Sequence, residues 1–174
     1  MTVVEIHEGK SEICREVLAD LPRWFGVPES TSAYVAASAS LPMFARLQGT
    51  QPAGFVSLKL QTPFAHEIYV LGVKRRFHRR GIGLALIEAA GRAAAAAGSR
   101  FLTVKTLAPS HPDSGYAATR LFYEAAGFMP LEVFPALWSD EHPCLMMVKT
   151  IESARTGHAA PGWSNAQLSS SRTS

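Results

Sequence analysis

A β-forming run over residues 66–73 leads into Arg79-Arg80-Gly81-Ile82-Gly83, and then into residues 82–97, a stretch rich in Ala, Leu and Ile without proline. That last stretch predicts a helix closed by Gly98, and its apolar content predicts that most of its surface is buried. A strand, a tight glycine turn and a buried helix in this order constrain the chain more than any other feature. The first N–H groups of such a helix are unpaired and point outward, and the helix dipole adds positive potential there. Glycines let a phosphate approach the backbone without a Cβ in the way, so the turn reads as an anion site. Two common phosphate motifs fail. The dinucleotide pattern G-x-G-x-x-G would need glycine where Leu86 stands, and a P-loop would need Lys and Ser/Thr where Leu84 and Ala85 stand.

The flanking sequence supplies the rest of a sheet. Residues 2–7 alternate and are β-branched, which predicts a short strand. Ser11 offers an N-cap for a helix over residues 11–21, where Ile13, Cys14, Val17, Leu18 and Leu21 share one face. Pro28 suits the first turn of a second helix over residues 29–39. Strands follow at 43–47 and 54–60, joined by turn residues, with 66–73 as the next. Beyond the central helix come a strand at 101–107, a helix at 115–126 ended by Gly127, and strands at 128–134 and 145–149. The order β-α-α-β-β-β-α-β-α-β-β predicts an α/β fold, a mixed central sheet flanked by helices. One domain over residues 2–150 is expected, with 151–174, rich in Ser, Ala, Gly and Asn, as a flexible tail.

Composition narrows the function classes. The net charge of +3 is local: five of the seventeen Lys and Arg residues lie in residues 74–80, and the remainder is twelve basic against fourteen acidic residues. A nucleic-acid binder built on that segment is a rival reading, but the acidic balance elsewhere argues against it, and no nucleic-acid partner is expected. No run approaches the roughly 20 apolar residues of a membrane span, and the N-terminus lacks a secretory layout. A cytoplasmic location without a membrane partner is therefore expected. Cys14 and Cys144 form no disulfide framework, and His142-Pro143-Cys144 lacks the ligand spacing of a zinc site, so no metal is expected.

With these elements in place, the chain resembles the GCN5-related N-acetyltransferase (GNAT) superfamily over residues 2–150. The family's Arg/Gln-x-x-Gly-x-Gly/Ala motif stands here as His78-Arg79-Arg80-Gly81-Ile82-Gly83, with His at the first position. A second family block stands as Phe122-Tyr123-Glu124-Ala125-Ala126-Gly127-Phe128. Lys105-Thr106-Leu107, together with Trp138 and Pro143-Cys144-Leu145, is similar to an uncharacterised branch whose kinship names no acceptor.

The resemblance implies acetyl transfer from acetyl-CoA, as co-substrate, to an amine by direct attack without an acyl-enzyme. It implies that the pyrophosphate sits on the backbone of residues 79–84, including Leu84, and that pantetheine pairs with Leu71, Gly72 and Val73. Tyr116 stands where the family often places an asparagine against pantetheine. Tyr123 occupies the general-acid position. A free alkyl amine, with a pKa of about 10.4, needs a base. Glu67 lies in a run similar to the glutamate-bearing fourth strand of the histone-acetylating branch, where that residue is the base. Alternation puts Glu67, Tyr69, Leu71 and Val73 on one face, with His66, the alternative base, on the other. The acceptor should enter between loops 22–28 and 135–143, where Trp24, Phe25 and Trp138, with Asp140 and Glu141, suit a small cationic amine. A homodimer and a non-catalytic acyl-CoA-binding module remain open.

Overall fold

The computed structural model describes residues 2–152, so the tail expected over 151–174 lies outside the described residues from 153 onward. The elements are β1 (Val4–Ile6), α1 (Lys10–Ala19), α2 (Pro28–Ser38), β2 (Met43–Gln48), β3 (Gln51–Thr62), β4 (Ala65–Val73), α3 (Ile82–Ala96), β5 (Phe101–Leu107), α4 (Ser114–Ala125), β6 (Met129–Ser139) and β7 (His142–Thr150). A single 3₁₀ turn, Arg75–Phe77, lies between β4 and α3. The seven strands form one mixed sheet in the order β1-β2-β3-β4-β5-β7-β6. β4 and β5 are parallel and the other neighbours antiparallel. Parallel neighbours need a long crossover, and α3 is that crossover.

Each face of the sheet buries its own apolar set. Ile82, Leu86, Ala90 and Ala94 of α3 pack with Val56, Leu58, Ile68 and Leu102 on one face. Cys14, Val17 and Leu18 of α1 pack with Met43, Phe55 and Val70 on the other. Small residues along α3, Ala90 and Ala94 among them, pack it directly against the strands. Among the described residues no helix is long and apolar enough to cross a membrane.

Three local differences from the sequence expectation have clear causes. α1 begins at Lys10 with Gly9, at φ 67°, as its N-cap, and Ser11 lies inside the first turn. The Ser11 hydroxyl instead donates to the Val35 carbonyl at 3.0 Å, tying α1 to α2. β6 continues through Pro135 to Ser139, past the expected end at residue 134. It is the outer strand of the sheet, where a missing N–H need cost no ladder bond. β3 starts at Gln51 and includes Pro52, paired with Leu47 next to a bulge at Ala53, a place in a sheet where proline is tolerated.

His66 is buried at the start of β4, with Nδ1 2.7 Å from the Ser99 hydroxyl oxygen. Burial disfavours its imidazolium and lowers its pKa. The unfolded chain therefore takes up this proton first as pH falls, and stability drops as pH passes from about 6.5 down through the lowered folded value. His66→Gln should flatten that part of the stability curve in chemical denaturation. Parallel curves for the two proteins would show that His66 does not titrate between the folded and unfolded states.

Candidate active site

The sheet opens at its centre. β4 pairs with β5 only from Ala65 to Ile68, opposite Phe101 to Val104. Beyond this, β5 continues on β7 alone and β4 on β3 alone. The backbone of β4 after Ile68 thus has a free hydrogen-bonding edge toward the gap, able to accept an extended ligand as an added strand.

A bulge in β4 accompanies the opening: Ser57 pairs with Val70 and Leu58 with Ile68, which leaves Tyr69 as an extra residue. The extra residue shifts the parity of the strand and corrects the expected alternation. Ile68, Leu71 and Val73 face the α3 side, whereas Tyr69 and Val70 face α1 and α2. Glu67, next to Ile68, also points to the α1 and α2 side, so Glu67 and Leu71 lie on opposite faces and meet only through the gap.

A cavity of about 1210 Å³ runs through the gap. At one end it reaches the glycine turn and the start of α3, including His78, Arg79, Gly81, Ile82, Gly83 and Leu84. Arg79 and Gly81 are both left-handed, at φ 58° and 75°, and Gly81 is the N-cap of α3. His78 Nε2 donates to the Val73 carbonyl at 2.7 Å, so the residue at the first motif position ties the turn to the end of β4. Arg80 does not line this cavity. Its guanidinium lies 5.8 Å from the Phe77 ring centroid, near Arg76, beside a second pocket with Gln48 and Gln51. Two cations of the basic segment are already matched, Lys74 by Glu16 at 2.5 Å and Arg75 by Asp20 at 4.0 Å.

Gly83 has a second reason to be glycine. A Cβ there would come within 2.8 Å of the Phe122 ring, so the residue lets α4 close against α3 as well as leaving room for an anion. Phe122 and Tyr123 belong to the same block of α4, which couples the turn to the candidate acid.

Tyr123 is 7% exposed, and its surroundings are Phe122 and Phe128, with ring centroids at 5.2 and 5.6 Å. It lines the cavity, and burial raises its pKa, which keeps the phenol protonated. Tyr116 also lines the cavity, and its hydroxyl donates to the Trp24 carbonyl at 3.2 Å. Trp24 in turn donates from Nε1 to the Thr119 hydroxyl at 3.2 Å and lies edge-on to His78 at 6.2 Å. These contacts seat Trp24 across α4, toward the glycine turn. Asp113, whose Oδ1 accepts from the Gly115 and Tyr116 amides, caps α4 and fixes where Tyr116 emerges.

The other end of the cavity lies on the α1 and α2 side. Glu67 is 6% exposed; its Oε1 accepts from Lys105 Nζ at 3.0 Å and its Oε2 accepts from Gln61. An ionised carboxylate has about four acceptor positions, so both bonds leave room for a further donor. Phe25, Tyr34 and Tyr69 form an edge-to-face series with centroids 5.8 and 5.4 Å apart, and burial pushes the Tyr34 phenol up to about 12. Trp138 and Leu137 close the far wall, with Trp138 48% exposed. Asp140 and Glu141, in the β6–β7 turn, do not line the cavity. His66 does not line it either, and its ring is engaged by Ser99.

The gap therefore brings together Tyr123, Glu67, residues 71–73, the glycine turn, Tyr116, Trp24, Phe25 and Trp138. Sequence reasoning missed Tyr34, Lys59, Gln61 and Lys105. Lys105 had a usable signal: on a strand parallel to β4 it falls on the face of Thr103, the register partner of Glu67. Cys14 and Cys144 are buried, neither lines the cavity, and burial raises both thiols, Cys144 to about 11.

Residues 33–130 match the model of the acetyltransferase (GNAT) domain family. No curated protein sequence matches the chain significantly. Among solved structures, an aminoglycoside 6'-N-acetyltransferase complexed with coenzyme A superimposes with a TM-score of 0.71 at 18% identity, over 90% of this chain and 100% of that one. The Enterococcus faecium aminoglycoside 6'-N-acetyltransferase gives 0.68 at 20% identity, over 90% and 100%. The Escherichia coli ribosomal-protein-S18-alanine N-acetyltransferase gives 0.69 at 17% identity, over 91% and 99%. At these identities the structural likeness is one of fold.

Proposed function

Because the chain belongs to the GNAT acetyltransferase family, we propose that it transfers the acetyl group of acetyl-CoA directly to the primary amine of a small molecule. The observation that carries this reading is the parting of β4 and β5 above the N-terminus of α3, with Tyr123 lining the space between them. The N-terminal N–H groups of α3 and the turn at residues 79–84 suit a pyrophosphate. The free edge of β4 suits the amide groups of pantetheine, which pair as a strand would. A backbone N–H near Leu71 lies on that edge, where it would polarise a thioester carbonyl in the manner of an oxyanion hole.

Glu67 receives the amine proton, directly or through water, with Lys105 and Gln61 holding its carboxylate in place. Tyr123 gives its proton to the departing sulfur. A free thiol has a pKa of about 8.5, and the desolvation that raises the phenol acts in the same direction on a thiol beside it, so the phenol's shift is offset rather than opposed. Neither cysteine competes as a nucleophile, since neither lines the cavity. Glu67→Gln keeps an acceptor for Lys105 and removes the base. Its kcat should fall most at neutral pH and recover as pH approaches the amine pKa; a defect independent of pH would assign the base elsewhere.

The reading is tested by following thiol release from acetyl-CoA across a panel of amines. Amine-dependent release with formation of the acetylated amine is expected. Tight acetyl-CoA binding with no amine-dependent release would favour the non-catalytic acyl-CoA-binding module instead.

A further inference from the structure

Three charged side chains line the acceptor end of the cavity: Glu67, Lys105 and Lys59. Lys105 is committed to Glu67 at 3.0 Å. Lys59 has no carboxylate partner among the described residues, and its ammonium stands 5.5 Å from the Tyr69 ring centroid, on the aromatic series formed with Tyr34 and Phe25. Lys59 and Glu67 are register partners on β3 and β4, directly opposite each other on one face. Side chains so placed start about 5 Å apart. This end of the cavity therefore offers an anion and an uncommitted cation side by side, with a net positive charge. Asp140 and Glu141, which would favour a polycationic acceptor, do not line the cavity.

Resting on the acetyltransferase reading, we infer that the acceptor is an amine with a carboxylate close by, of the amino-acid class, whose amine approaches Glu67 while Lys59 holds its carboxylate. Opposite charges carried by facing positions of adjacent strands suit a zwitterion whose own charges are a few bonds apart. A dication would place its second charge against Lys59, where the two like charges repel. Phe25, Tyr34 and Tyr69 provide an apolar wall for a side chain. This replaces the small cationic acceptor expected from the loop sequences.

The test offers the common amino acids, each with its amide and its decarboxylated amine, and reads kcat/KM by thiol release, with acetyl-CoA affinity measured separately by calorimetry. Amidation removes the carboxylate and lowers amine basicity, so intrinsic reactivity at neutral pH favours the amide. A preference for the acid must then come from binding. The best amino acid should exceed its amide and its decarboxylated amine by roughly ten- to a hundredfold, chiefly through KM. Lys59→Gln should abolish this preference and Lys59→Glu should reverse it, with the melting temperature retained because Lys59 is exposed. Equal or better use of the amides and amines by the wild type, or a preference unchanged in Lys59→Gln, overturns the inference and leaves the transferase reading standing. Acetyl-CoA binding with no transfer to any amino acid also overturns it. Loss of acetyl-CoA binding in the wild type would instead fell the reading beneath it.

Discussion

Tyr123→Phe should lower kcat by roughly 10² to 10⁴ while leaving acetyl-CoA affinity nearly intact. The substitution removes one oxygen from a ring packed between Phe122 and Phe128, so packing and melting temperature should hold. What is lost is the proposed proton donor. Burial raises the Tyr123 pKa, which keeps the phenol in the donating form across the working pH range. Without it the thiolate must leave unprotonated or wait for water. Steady-state kinetics with calorimetry on the same sample separates the two effects, and normal turnover in the variant would assign the proton to water.

The second large effect is expected at the turn. Gly81→Asp should weaken acetyl-CoA binding by at least about a hundredfold, equivalent to roughly 2.7 kcal/mol. A Cβ at this position meets nothing within 4 Å, so the carboxylate enters open space at the N-terminus of α3. There it competes with a phosphate for the same positive potential. The left-handed backbone at φ 75° costs a side chain about 1–2 kcal/mol, although Asp tolerates it better than most residues. Gly83→Asp, the substitution the motif itself suggests, is a poorer test because its side chain would strike Phe122 and disturb α4 as well. Calorimetry should show the loss with Gly81→Asp in a protein that still melts cooperatively; unchanged affinity would remove the phosphates from the turn.

The turn and α3 were legible in sequence because their signals are local. Glycines at 81 and 83, a proline-free Ala-rich run and the block around Tyr123 each state their structure within a few residues. The bulge at Tyr69 was not legible, since it arises from how β4 must pair with β3 while separating from β5. That single extra residue put Glu67 and Leu71 on opposite faces. Lys59 and Lys105 come from β3 and β5, and only the sheet register brings them to Glu67, while Tyr34 comes from α2 and reaches the site through its ring contact with Tyr69. Their types alone read as surface lysines and a core tyrosine. Ser11 shows the same limit at small scale: its hydroxyl served a contact to α2 that no local pattern records.

The proposed transfer is direct, from thioester to amine across the gap between β4 and β5. A single-turnover reaction with acetyl-CoA labelled in its acetyl group, followed by mass spectrometry of both protein and amine, tests it most directly. With direct transfer the label passes into the amine at the rate of thiol release while the protein mass stays unchanged. A protein that gains one acetyl group before the amine does, or thiol release that leaves the label in free acetate, would contradict it.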